Sequence, residues 1–131
     1  MMKYKLWTTT KLCRNKGIGD YQVSGYPDWW EIEATDSGNR KHNKLLLIHE
    51  LIECMLTEER GIAEHEIDKF DREFEKTNVL GLEPGDSSDA PYQREHQFAE
   101  KIEKLLCEEF GIDWKDYCNA IEDLIKSHEV K

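Results

Sequence analysis

Three ionisable side chains, His49, Glu50 and Glu53, stand in the most apolar stretch of an otherwise polar chain, after Leu45-Leu46-Leu47-Ile48 and before Cys54-Met55-Leu56. A carboxylate buried without a partner is costly enough that it neutralises, pairs or coordinates a metal. On a helix, His49 and Glu53 fall four residues apart on one face and can offer two ligands to one ion. Glu50, one residue along, is placed to take a proton from a water at that ion. His-Glu-x-x-Glu differs from the helical zinc motif His-Glu-x-x-His only in its second ligand, and a carboxylate is an accepted zinc ligand.

A third ligand must come from elsewhere, and four other histidines are candidates. His42 lies roughly 10 Å back along the same helix axis, too far to share the ion. His128 is close to the last residue. His65 points about 160° away from Ile67, the apolar marker of its own helix, and so faces solvent. His96 remains, about 120° round from Ile102 on the border of an apolar stripe, with Glu95 about 20° from Ile102 and aimed more directly inward. Either can be the third ligand on this geometry. Imidazole is the better zinc ligand and leaves the site less negative, which favours His96, with Glu95 then behind the ligands. Asp71 falls among Ile67, Phe70 and Phe74, and a role orienting His49 or His96 would account for it. Zinc is the expected cofactor, and another divalent metal is the alternative.

The elements that must position these residues divide into a β-rich segment, residues 1–36, and a helical part, residues 37–131, within one domain. Tyr4, Leu6 and Thr8 alternate with Lys5 and Trp7, and Trp30, Ile32 and Ala34 with Trp29, Glu31 and Glu33; both runs read as strands. Tyr21 to Ser24 is a candidate middle strand between turn-rich segments. Four helices are predicted, over about Asn39–Arg60, Ala63–Thr77, Pro91–Phe110 and from Asp113 onward. Gly61 and Gly111 are expected as left-handed caps. The third helix is expected to face inward with Phe98, Ile102, Leu105 and Leu106, and the fourth with Trp114, Tyr117, Cys118, Ile121, Leu124 and Ile125. The first carries Arg40, Lys41 and Lys44 at its start and Glu58 and Glu59 at its end, against the helix dipole, so tertiary burial must hold it. The fold class is α+β, with short antiparallel strands packed on a bundle of about four helices. The fourteen-residue loop Asn78 to Pro91 is long enough to suggest a functional segment flanking the site.

Composition limits the function classes. Of 131 residues, 35% are charged, and the net charge is -10. A surface of that sign is repelled by phosphate backbones and anionic lipid, which argues against nucleic-acid and membrane partners. Cys13, Cys54, Cys107 and Cys118 show no Cys-x-x-Cys spacing and read as reduced, mostly buried thiols. No run approaches the ~20 apolar residues that span a bilayer, and the N-terminus alternates instead of forming a secretory signal. A cytoplasmic, soluble protein is the expectation.

Leu46-Leu47-Ile48-His49-Glu50-Leu51-Ile52-Glu53-Cys54-Met55-Leu56, preceded by a strand and a short linker, resembles the active-site helix of small zincin-type metallopeptidase-like proteins of phages, prophages and mobile elements. Glu83 to His96, Glu-Pro-Gly-Asp-x-x-Asp-Ala-Pro-Tyr-x-x-Glu-His, is similar to a stretch in phage-type proteins with the same helix; together the likeness covers roughly residues 28 to 110. It implies a small sheet against the metal helix, with Trp29 to Thr35 on the substrate side and its free edge open to an extended peptide. Zincins carry His where this chain has Glu53, and an anionic ligand lowers the Lewis acidity of the metal. The expected function is zinc-dependent peptide hydrolysis on a peptide or protein substrate, with Glu50 as base. The alternative is a non-catalytic metal-binding or acidic interaction protein.

Overall fold

The computed structural model describes residues 2–24, 28–77 and 83–129. Three strands, β1 (Lys3–Thr9), β2 (Gly19–Val23) and β3 (Trp29–Thr35), precede four helices, α1 (Arg40–Glu59), α2 (Glu64–Thr77), α3 (Gln93–Glu109) and α4 (Trp114–Glu129), with short 3-10 turns at Arg14–Lys16 and Pro84–Asp86. This is an α+β fold. The predicted helices are present to within about two residues at each end.

The sheet departs from the all-antiparallel arrangement expected. Its order is β1-β3-β2, with β1 parallel to β3, Leu6 opposite Ile32, and β2 antiparallel to β3, Tyr21 opposite Ile32. The strand that is central in sequence is therefore an edge in space, and β3 is enclosed on both sides. An extended peptide has no free edge on β3 to join. The exposed edge of β2 is itself engaged by side chains: Arg14 donates to the Tyr21 carbonyl, and Glu64 accepts from the Val23 amide. Such capping suppresses strand addition.

On β3 the alternation read from sequence holds, with Trp30, Ile32 and Ala34 buried. They pack with Cys54 and Leu46 of α1 in two apolar clusters that also take in Tyr21, Ile67 and Ile18. A third cluster joins Leu45 to Cys107 and Tyr117, closing α3 and α4 onto α1. Helix α1 thus touches the sheet on one side and α3 on the other. Its first turn has no acid and its last no base, so packing carries it, helped by the Asn39 cap that accepts from the amides of Lys41 and His42. Both predicted glycine caps form, with positive φ at Gly61 and Gly111, and Ile62 and Ile112 bond back to Thr57 and Cys107, the Schellman pattern.

Helix α3 is turned differently from its predicted stripe. Phe98 is 46% exposed and Leu105 58%, while Glu95, His96, Ala99, Glu103 and Cys107 are buried. Apolar content marks the inward face only when polar groups have no partners there, and these do. Cys13, Cys54 and Cys107 are free and buried as expected, but Cys118 is exposed. Among the described residues, no helix is long and apolar enough to cross a membrane.

Candidate metal centre

Three ligand atoms from two helices meet between α1 and α3. His49 Nε2 lies 3.2 Å from Glu53 Oε2 and 3.2 Å from His96 Nδ1, and the third side of the triangle, His96 Nδ1 to Glu53 Oε2, is 3.1 Å. All three residues are buried, and they are close enough together to bind a metal ion. A tetrahedral shell with bonds of about 2.0–2.1 Å has edges of about 3.3 Å, so the triangle matches one face of such a shell. Among the described residues three ligands are grouped here, one fewer than a tetrahedral shell holds.

Each of these residues is held from behind. His49 Nδ1 is 2.7 Å from Glu103 Oε1, and Tyr117 donates its hydroxyl to Glu103 Oε2 at 2.5 Å. His96 Nε2 faces Asp86 Oδ1 at 3.2 Å and Glu83 Oε2 at 3.3 Å. Tyr21 donates to the remaining Glu53 oxygen, Oε1, at 3.0 Å. A carboxylate behind an imidazole fixes the proton on the far nitrogen and leaves the near one as a lone pair. Three acceptor atoms then point at one spot, and they repel one another unless a cation sits between them. Without a metal, protons serve. Burial disfavours charge on both rings, but Glu103 and Glu53 hold His49 well above the usual imidazole range. Glu53 and Glu83 likewise hold His96 at about 10. Burial would raise Glu53, and the two rings outweigh it and keep its carboxyl at about 2.

Glu50 opens on the same cleft of about 540 Å³ as the three ligands. Among the described residues its carboxylate has no hydrogen-bond or ion-pair partner. Burial first, and then Glu53 nearby, push it well above the carboxylate range. It lies over Gly19 of β2, where an added Cβ would fall 2.3 Å from Glu50 Oε1. A Cβ at Gly85 would fall 2.5 Å from Cγ and Nδ1 of His96. Two glycines thus leave room for the two functional side chains.

Two predicted residues sit elsewhere. Glu95 is taken by Arg60, whose Nη1 donates to its Oε2 at 2.6 Å, so it is neither the third ligand nor a support behind the ligands. The wheel set it inward correctly, but the inward direction there leads to the end of α1. Asp71 does not orient either histidine; it accepts from the Tyr92 hydroxyl at 2.5 Å. His65 is exposed, as its position on the wheel requires. The sequence reading missed Glu103, Tyr117, Tyr21, Glu83 and Asp86. Glu103 was within reach, since seven residues past His96 is about 20° away on the same helix face. Nothing in the local sequence marks Tyr21.

Asp71 gives a stability prediction with a definite sign. Burial raises its pKa to about 7, against roughly 3.9 in an unfolded chain. Below about pH 4 both states are protonated and there is no penalty; between about pH 4 and 7 the unfolded chain ionises first, so this group's contribution falls as pH rises. Asp71→Asn keeps an acceptor for Tyr92 and removes that penalty. After allowance for partial solvent screening, the variant should gain about 1–2 kcal/mol near pH 8 and nothing near pH 3.5 in urea denaturation. A gain independent of pH would contradict this account.

No family model, no curated protein and no solved structure matches this chain.

Proposed function

We propose that the protein is a zinc-dependent hydrolase of zincin type that acts on peptide bonds, with His49, Glu53 and His96 as ligands and Glu50 as the base. The observation that carries this reading is the triangle of three acceptor atoms with 3.1–3.2 Å sides, each on a side chain whose other polar atom is already engaged. Two imidazoles and one carboxylate, with a fourth position open, are the donor set of many catalytic zinc sites. Bound there, the ion would supply Lewis acidity to a carbonyl oxygen and lower the pKa of a water.

The remaining chemistry belongs to the chain. Glu103, braced by Tyr117, keeps the Nδ1 proton of His49 in place, and Asp86 and Glu83 do the same for Nε2 of His96. Tyr21 holds Oε1 of Glu53, so that Oε2 would be the oxygen left for an ion. Glu50, with no other partner, accepts a proton from the attacking water as its oxygen bonds to the scissile carbonyl carbon. As the C–N bond breaks, Glu50 delivers that proton to the leaving nitrogen. Burial and the nearby Glu53 raise its pKa, so it holds the proton it takes more firmly than an exposed carboxylate would.

A closed structural site would need a fourth protein ligand. Glu95 and Asp71, its natural sources, are committed to Arg60 and Tyr92. The test is elemental analysis of protein purified without chelator, together with a zinc titration. One equivalent of zinc is the expected result. Protein that carries no metal and takes up none would overturn the proposal.

A further inference from the structure

We infer that the substrate of this cleft is a cationic peptide, a segment with Lys or Arg close to the bond that is cut; the inference rests on the reading of the cleft as a hydrolytic metal site. Among the described residues, those lining the cleft include twelve Asp or Glu side chains and one Arg, with no Lys. Arg14 is already bound to Asp20 at 2.6 Å. Glu64 and Asp68 lie 3.5 and 3.9 Å from it, so it is shared among three acids.

The acids have a source in the sequence. Glu64, Asp68, Asp71 and Glu75 follow one another at spacings of four, three and four along α2, which puts them on one helical face. That face lines the cleft. Glu75 has no hydrogen-bond or ion-pair partner among the described residues, and neither has Glu100, one turn beyond His96 on α3. Crowding of like charge shows at Asp71 and Glu100, where burial first and neighbouring carboxylates next raise both groups. A doubly charged metal ion would offset only part of this field.

The far side of the cleft differs in kind. Trp114, Ile121 and Ile125 of α4 line it, and they are half-buried. Lys and Arg are the side chains with an apolar stem and a cationic head, and the cleft offers an apolar wall for one and carboxylates for the other. A like-charged peptide would be repelled before it reached the ligands.

The experiment measures binding of fluorescent peptides of equal length, Lys/Arg-rich, Ser/Gln-rich or Glu-rich, to the Glu50→Gln protein, which should bind without turnover. The Lys/Arg-rich peptide should bind at least about tenfold more tightly than the neutral one, and the gap should shrink as salt is added. Glu75→Gln combined with Glu100→Gln should weaken it by about tenfold. Glu108→Gln combined with Glu109→Gln, exposed acids of α3 outside the cleft, removes the same charge and should weaken it less than about twofold. Equal affinity for cationic and neutral peptides, or equal losses in the two double variants, would overturn the inference. Zinc uptake measured on the same samples separates the two proposals. Bound zinc without charge preference sinks this one alone, and charge preference without zinc sinks the metal reading and, with it, the role of the cationic peptide as a substrate.

Discussion

A Glu50→Gln variant should bind zinc as the unaltered protein does and hydrolyse a Lys-containing peptide ~10²–10⁴ times more slowly, the usual contribution of a positioned general base. Glutamine has the same shape, so the fit over Gly19 is kept, but it cannot accept the proton. The ligand triangle does not include Glu50, which is why metal and activity should separate. The substitution also removes a carboxylate whose ionisation burial and Glu53 oppose, so thermal stability should stay level or rise. Full activity in Glu50→Gln would exclude the role given to this residue. Loss of zinc together with activity would mean instead that Glu50 supports the ligands.

Glu50, His49 and Glu53 were legible because the sequence sets three charges into a run of Leu and Ile, and because four-residue spacing is a fixed property of a helix. His96 followed by elimination among five histidines. The choice between His96 and Glu95 was not legible: neighbouring residues on a helix lie ~100° apart, and which of them meets α1 depends on how α3 is rotated. The apolar stripe gave that rotation wrongly, since Phe98 and Leu105 stay exposed while His96, Ala99, Glu103 and Cys107 turn inward. A buried polar network overrides hydrophobic patterning where its members satisfy one another. Strand order failed for a different reason. Alternation tells which face of β1 is apolar, but it does not record whether β1 pairs with β2 or, in parallel, with β3. The burial of Trp30, Ile32 and Ala34 was correct because it needs only the period of the strand.

Glu103→Gln should weaken zinc binding by about 10–100-fold while the apo fold persists, the range typical of a partner behind a ligating histidine. In the native chain Glu103 Oε1 stands 2.7 Å from Nδ1 of His49; its charge fixes the Nδ1 proton and would make Nε2 a better donor to an ion bound there. A glutamine oxygen can still accept from Nδ1–H. The amide nitrogen can then meet Tyr117 with the hydroxyl as acceptor, which leaves only that hydroxyl's own proton without a partner, a cost of about 1 kcal/mol. What disappears is the negative charge, and with it the bias towards the tautomer that exposes the Nε2 lone pair. The ring can now place its proton on Nε2 and turn the site from three acceptors into two acceptors and a donor. Competition against a chelator of known affinity reads the change directly. Thermal melts read it independently, because a ligand that binds only the folded state raises stability in proportion to the logarithm of its affinity: the zinc-induced rise in Tm should shrink, and the melt in chelator should fall only by what the lost His49–Glu103 charge pair contributes. An unaltered zinc affinity would show that Glu103 only fills space, and the ligand set would then have to stand without its support.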